Sequence, residues 1–300
     1  MQDFAEIQAR FEAAGYITEH GLALAVGLAD ELRRPLLIEG EAGVGKTAVA
    51  KAMADAFGRV LIRLQCYEGL DINSAVYEWN YQRQLMTIKL YENEHHSPQE
   101  VQHEIFSEEY LLKRPLLKAI CMSEAPVLLI DEIDRADEEF EAYLLEVLSD
   151  YQISVPELGT ITAISKPCVI LTSNATRELS DALRRRCLYY YLPFPSYEKE
   201  LRIVTIRVPE VSRKLACQVV SFVQSLRTQD LRKKPGIAET LDWTAALLGL
   251  RISSLDDDPE KVAQSLMCLL KTRQDQMAAD AETVQRLIAQ SVAAADASAQ

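Results

Sequence analysis

What the chain has little of narrows it first. Basic residues are outnumbered, 32 Lys and Arg against 45 Asp and Glu, which leaves a formal charge of −13 over 300 residues. Domains that grip phosphate backbones usually carry a basic excess, so no nucleic-acid partner is expected. No apolar run approaches the length of a bilayer crossing, so no membrane span is expected either. The start, Met1-Gln2-Asp3, is acidic and has no apolar h-region, and on that ground no secretory leader is expected. Cysteine is scarce and scattered: Cys66, Cys121, Cys168, Cys187, Cys217 and Cys268 form no C-x-x-C pair. They read as buried thiols of a reducing compartment, and a cytoplasmic protein is expected. His95, His96 and His103 lie in a polar stretch near Pro98 and read as a solvated loop rather than as metal ligands. There is no internal repeat.

What is present describes a globular chain. At 48% hydrophobic and 26% charged it can bury a sizeable core, divided naturally into one large domain and a smaller one. Apolar spacing over residues 5–33 suits one or two helices. After it come short apolar runs at Leu36 to Ile38, Val60 to Leu64, Val127 to Ile130, Val169 to Leu171 and Leu188 to Leu192. Helical patterns separate them at Lys46 to Phe57, Pro115 to Met122 and Glu138 to Asp150. This alternation predicts an α/β fold, a parallel sheet with helices on both faces and a ligand at the carboxyl ends of its strands.

Two segments interrupt the alternation. Residues 67–112 are too long for an ordinary connection; they hold Tyr77-Glu-Trp-Asn-Tyr81 and an alternating stretch through Leu85, Thr87 and Lys89 that predicts a hairpin. The Tyr77 to Tyr81 patch reads equally as a contact surface for another protein and as an aromatic anchor. Residues 152–165 give a second hairpin signal around Pro156 and Gly159. Beyond Pro193-Phe-Pro195 the patterns are helical only, at Glu198 to Arg207, Val211 to Leu226, Glu239 to Leu250 and Pro259 to Arg273. The expected division is therefore a core over 1–195, a helical lid over 196–277 and an Ala-, Asp- and Gln-rich tail over 278–300, either a fraying helix or a disordered segment.

The chemistry concentrates in three places. Gly40 to Thr47 reads GEAGVGKT, a full GxxxxGK(S/T) match between an apolar strand and an Ala-rich helix. A glycine-rich loop opening a helix surrounds a polyphosphate with backbone N–H groups and the positive end of the helix. Gly40, Glu41, Ala42, Gly43, Val44, Gly45, Lys46, Thr47 and Ala48 are thus the expected nucleotide-binding segment. Lys46 is expected on the β and γ oxygens, and Thr47 on Mg²⁺ through its hydroxyl. Next, Val127-Leu-Leu-Ile-Asp131-Glu132 ends a strand in two carboxylates. Asp131 is expected beside the same Mg²⁺, and Glu132 is expected to polarise the water that attacks the γ-phosphate. Asp134, Asp137, Glu138 and Glu139 read as the charged start of the following helix. Finally, Cys168-Val-Ile-Leu-Thr-Ser-Asn174 delivers an amide to the same edge, suited to the water or the γ-phosphate. Arg184-Arg185-Arg186 at a helix end is more cation than one nucleotide site needs in cis, and guanidinium forks suit phosphate across an interface.

Together these motifs resemble an AAA+ ATPase, and within that superfamily the chain is similar to the MoxR group, especially the branch associated with maturation of molybdenum-containing CO dehydrogenase and related hydroxylases. The residues that carry the finer likeness are Tyr77-Glu-Trp-Asn-Tyr81, Asp131 through Phe140, Pro156-Glu-Leu-Gly159 and Arg184-Arg-Arg-Cys187. The resemblance covers roughly residues 10–250. It implies ATP and Mg²⁺ as ligands and a homo-oligomeric, hexameric ring with nucleotide between protomers. Asn174 would be the sensor at the γ-phosphate, and Arg186, with Arg185 as second candidate, the finger facing a neighbour's site. It also implies a partner with a von Willebrand A domain and a client metalloenzyme remodelled by ATP hydrolysis. One departure stands out: many relatives place a second sensor arginine in the lid, whereas Lys233-Lys-Pro-Gly236 is followed here by Ile-Ala-Glu239-Thr. The nearest cations are Arg232, Lys233 and Lys234. A GTPase switch would need an NKxD motif, which is absent. A DNA-handling ATPase sits poorly with the acidic charge, and a binding scaffold with little hydrolysis sits poorly with intact Lys46, Asp131, Glu132 and Asn174.

Overall fold

The computed structural model describes residues 4–91 and 97–297. The chain separates into two units, one holding the chain up to Gly40 and Lys46–Leu192, the other holding Glu41–Gly45 and the chain from Pro193.

The first unit is built on five parallel strands: β1 Leu36–Glu39, β2 Leu61–Gln65, β5 Val127–Asp131, β8 Cys168–Ser173 and β9 Leu188–Tyr191, in the order β2-β5-β8-β1-β9. Burial explains why the motif strands lie centrally. Every residue of β5 and of β8 is buried, whereas the edge strands β2 and β9 alternate between covered and open positions. Continuous apolar runs need a layer on each face, while alternation suits an edge. All five expected strands are present, and the helices Lys46–Phe57 and Glu138–Asp150 fall where the apolar spacing put them. Before β1, Phe4–Ala13 and His20–Leu32 are the two N-terminal helices.

Two-stranded pairs complete the first unit. β6 Gln152–Val155 and β7 Gly159–Thr162 form the expected hairpin. In the 67–112 segment, β3 Tyr77–Trp79 pairs antiparallel with β4 Leu111–Lys113, so the segment closes on itself. The hairpin expected around Leu85, Thr87 and Lys89 is instead the helix Tyr81–Tyr91. Gln84, buried there, donates to Ile105 O at 2.7 Å, and the Thr87 hydroxyl meets Tyr110 OH at 2.8 Å. Both contacts come from the helical face, which the alternation could not reveal. Trp79 is buried, edge-on to Phe106 at 5.1 Å and to Tyr77 at 6.4 Å, so this aromatic is an anchor; Tyr81 stands exposed. His103 lies exposed on the helix Pro98–Ile105, and His95 and His96 fall outside the described residues.

The second unit is helical: Tyr197–Arg207, Arg213–Arg227, Ile237–Gly249, Pro259–Ser265, Arg273–Ala278 and Ala281–Ala297. Its centre is Trp243 against Phe222, ring centroids 4.9 Å apart, with the indole N–H donating to Ser265 Oγ at 2.8 Å. Two expectations are corrected. The single helix expected from Pro259 to Arg273 breaks at a 3-10 turn, Leu266–Cys268, and restarts at Arg273, where the Thr272 hydroxyl accepts from Asp275 N. The stretch 278–300, expected outside the lid as either a fraying helix or a disordered segment, holds the helix Ala281–Ala297, which packs along Arg213–Arg227 and buries Val284, Leu287, Ile288, Ser291 and Ala295. Those positions recur at one-turn spacing, which gives the helix a core-facing side. Among the described residues no helix is long and apolar enough to cross a membrane.

Candidate active site

β5 and β8 end side by side, and their last residues meet the start of the helix Lys46–Phe57. Thr47 Oγ1 donates to Asp131 at 3.0 Å from Oδ1, and Thr172 Oγ1 donates to the same Oδ1 at 2.5 Å. Thr172 also accepts from Glu132 N at 2.9 Å, so one hydroxyl ties both acidic residues to β8. Lys46 is buried, with its ammonium 2.7 Å from Gly40 O and 2.7 Å from Asn174 Oδ1. Lys46, Thr47, Asp131, Glu132 and Asn174, far apart in sequence, therefore stand at one sheet edge.

The phosphate-loop residues between Gly40 and Lys46 hold the backbone geometry that glycine permits. Gly43 has φ +80° and Gly45 φ +94°, in the left-handed region where a Cβ is strained. Within the second unit, Ile237 N donates to Gly43 O at 2.9 Å, and a Cβ at Gly236 would lie 2.6 Å from Gly43 Cα. Only glycine at 236 allows that approach. Glu239 closes the same turn by accepting from Gly236 N at 3.0 Å. Of the nearby lid cations, Arg232 spends its guanidinium on Gln274 at 2.6 Å.

Glu132 sits at φ 55°, ψ 50°, left-handed for a residue with a full side chain. Such a conformation costs about 1–3 kcal/mol and persists where surrounding contacts impose it, often at a functional site. Here the carboxylate is held by Gln65 Nε2 at 3.1 Å and by Arg135 Nε at 3.1 Å. Asp134 corrects its expected reading. It is buried rather than a solvated helix start, and it accepts from Asn174 N at 3.2 Å, Thr176 N at 3.0 Å and Thr176 Oγ1 at 2.6 Å. Burial alone would raise this carboxyl, but the Thr176 hydroxyl and the two amides hold it below its ordinary value. Asp134 thus fixes the backbone on either side of Ala175 and, through it, where Asn174 projects. Next to these carboxylates, the Cys66 thiol is pushed up to about 12, first by burial and then by the charges of Asp131, Asp134 and Glu132.

The arginine cluster lies on the helix Asp181–Arg186, whose start is capped by Ser180. Arg184 leans on Glu39 at 3.4 Å. Arg186 donates to Ser149 Oγ at 2.5 Å and to Ala182 O at 3.1 Å, so it is tied within its own chain. Arg185 is exposed, and its guanidinium has no hydrogen bond or ion pair among the described residues. Arg34 anchors the helix end from below, donating to Arg185 O at 2.8 Å and Arg186 O at 3.3 Å.

Residues 35–187, just over half of the chain, match the AAA domain family, dynein-related subfamily. The chain belongs to that family. Uncharacterized proteins of Staphylococcus aureus, from strains bovine RF122 / ET3-1 and USA300, are 26% identical over 227 residues, 73% of this chain and 78% of theirs. Among solved structures the AAA domain chain is similar to the Thermotoga maritima RuvB Holliday junction branch migration motor, at 16% identity and TM-score 0.45 over 82% of this chain. That alignment takes in 66% of the RuvB chain, just under two thirds of its length. A point mutant of RuvB aligns at 17% identity and TM-score 0.47, over 87% of this chain and 70% of its own.

For an AAA domain, a nucleotide-binding and ATPase family, the donor set fits the expected ligands. Mg²⁺ is usually held by one or two carboxylates together with substrate phosphates, and the Thr47 hydroxyl and Asp131 carboxylate are two hard oxygens 3.0 Å apart at a helix N-terminus. The motif reading missed Arg63, Gln65, Thr172, Asp134 and Arg34. Thr172 and Asp134 lie inside the quoted motifs but had no role at the site there, whereas Arg63, Gln65 and Arg34 stand outside any motif and reach the site through strand pairing or a neighbouring element. The only sequence signal was polar residues at alternate positions on β2, Arg63 and Gln65, within an otherwise apolar run.

Proposed function

We propose that this chain hydrolyses ATP as a subunit of a ring, of the MoxR kind, that remodels a client protein during metalloenzyme maturation. The observation that carries the hydrolytic part is that one sheet edge holds Lys46 bonded to Asn174, Thr47 bonded to Asp131, and Glu132 tied through its backbone N to Thr172. Thr47 and Asp131 would hold Mg²⁺, whose charge offsets that of the β and γ oxygens. Lys46 exchanges its contacts with Gly40 O and Asn174 for phosphate oxygens. Glu132 accepts the proton of the attacking water as the new O–P bond forms at the γ-phosphorus. The bond from that phosphorus to the bridging oxygen breaks, its electron pair leaving with ADP. Asn174 orients the water or a γ oxygen through its amide. A general base of this kind contributes about 10²- to 10⁴-fold.

The ring reading rests on the arginine cluster. An arginine supplied in trans is worth roughly 10³- to 10⁵-fold in rate. Arg186 comes first under the MoxR likeness, but it is tied to Ser149 and Ala182, and Arg185 is the cluster's uncommitted guanidinium. Arg185→Ala should therefore cost more turnover than Arg186→Ala. Mixing Arg185→Ala subunits with Lys46→Ala subunits should restore activity above either parent, because a mixed ring rebuilds a competent interface. A confirmed mixed assembly with no gain would remove the arginine from its trans role. The metalloenzyme client and the von Willebrand A partner rest on the MoxR likeness of Tyr77 to Tyr81, Asp131 to Phe140 and Pro156 to Gly159. Purification with bound partners, followed by metal assay of each, tests them; partners that carry no metal in either state would set this client class aside.

A further inference from the structure

The Asp131 carboxylate already has a cation against it, and that cation is supplied by the chain. Arg63, in the middle of β2, is paired in register with Leu129 of β5. Its Nε lies 3.1 Å and its Nη2 2.6 Å from Asp131 Oδ2, so both N–H groups converge on one oxygen. Asp131 Oδ1 takes the Thr172 hydroxyl and, at 3.0 Å, the Thr47 hydroxyl, which also lies 3.2 Å from Oδ2. The two partners differ sharply in surroundings. The Asp131 side chain is 3% exposed, the Arg63 side chain 52%. A buried carboxylate without a countercharge is costly, whereas a guanidinium already half in water loses little when it swings away, because solvent replaces the contact. Gln65 Oε1, which also accepts from Arg63, lies on the same face of the strand.

On the reading that Asp131 and Thr47 hold the divalent cation, we propose that Arg63 is the resident countercharge of Asp131 in the nucleotide-free protein and competes with that cation for Oδ2. Oδ2 would be open to the cation once Arg63 leaves it, so nucleotide binding with Mg²⁺ would carry the release of this pair. Arg63 thereby sets how strongly nucleotide binding depends on Mg²⁺. It is a positioning residue for the site, and it does not touch the reacting atoms in this role.

The test is the affinity for a fluorescent ADP analogue, measured in EDTA and in saturating Mg²⁺, for wild type, Arg63→Gln, Arg63→Lys and Asp131→Asn. Removing a charge-assisted hydrogen-bonded competitor should raise the Mg²⁺-dependent gain in affinity about tenfold in Arg63→Gln. Arg63→Lys, which keeps the charge without the fork, should fall between. The nucleotide-free Arg63→Gln protein should melt below wild type, and the difference should close when Mg²⁺ and ADP are present. A gain in Arg63→Gln equal to or smaller than that of wild type, in a protein with unchanged circular dichroism, would overturn the proposal and leave Arg63 as a fixed contact. Asp131→Asn separates this from the parent reading: if its affinity still responds to Mg²⁺ as wild type does, Asp131 is not the cation's ligand, whatever Arg63 does.

Discussion

Each unit of this chain contains an arginine set against a buried carboxylate, and the two pairs are built for opposite ends. In the helical unit Arg227 and Glu200 are both sealed, 5% and 0% exposed, with Nη1 and Nη2 at 2.6 and 2.7 Å from the two carboxylate oxygens. Further contacts close around the pair: Arg227 Nε donates to Pro235 O, Thr240 and Gln224 donate to Glu200, and Phe194 lies under the guanidinium at 4.7 Å. In the sheet unit Arg63 meets Asp131 with one oxygen only and from half in water. A fork-to-fork pair with no solvent on either side fixes a fold, while a half-open pair can be exchanged for another cation.

The largest effect follows from breaking the sealed pair. Arg227→Ala leaves Glu200 charged and buried and should cost about 3–5 kcal/mol of stability, against about 1 kcal/mol for Arg63→Ala without nucleotide. Urea unfolding followed through Trp243 in a Trp79→Phe background reads the first directly. Equal costs for the two would erase the distinction between strut and exchangeable contact.

A second, smaller effect sharpens what holds the sheet edge. Asp134→Ala strips the Asn174 and Thr176 amides and the Thr176 hydroxyl of their acceptor, an expected loss of about 2 kcal/mol. Because the folded Asp134 lies below its ordinary value, its contribution is present above the unfolded pKa near 4 and is lost as pH falls through the folded one. Acid unfolding should therefore be less steep in Asp134→Asn, where an unchanged acid limb would remove this residue from the account. The smallest effect is kinetic. Cys66, Cys168 and Cys187 are each pushed up to about 12, chiefly by burial, so a thiol reagent at pH 8 should label the half-buried Cys121 and Cys268 first. Early labelling of Cys66 would mean that the carboxylate edge opens in solution.

The contrast between the units also marks what the sequence could tell. Lys46, Thr47, Asp131, Glu132 and Asn174 were legible because each sits at a fixed offset from an apolar strand, and the strand's end dictates where the residue goes. Arg63 and Gln65 were not, because their role depends on β2 lying beside β5, and strand order across a helical crossover leaves no local mark. Leu85, Thr87 and Lys89 alternate by chance along a helix whose packing comes from Gln84 and Thr87. Ala281–Ala297 was half legible: a helix was one of two alternatives for 278–300, and its one-turn repeat of Val284, Leu287, Ile288 and Ser291 was present, but the small residues around it left disorder as the other.

The measurement that tests the central claim most directly is ATP turnover by Glu132→Gln beside wild type, with nucleotide binding measured in both. The account predicts that the variant binds ATP as wild type does and releases phosphate about 10²- to 10⁴-fold more slowly. Equal turnover in the two proteins would contradict it, because the carboxylate held by Gln65 and Arg135 would then have no part in activating water.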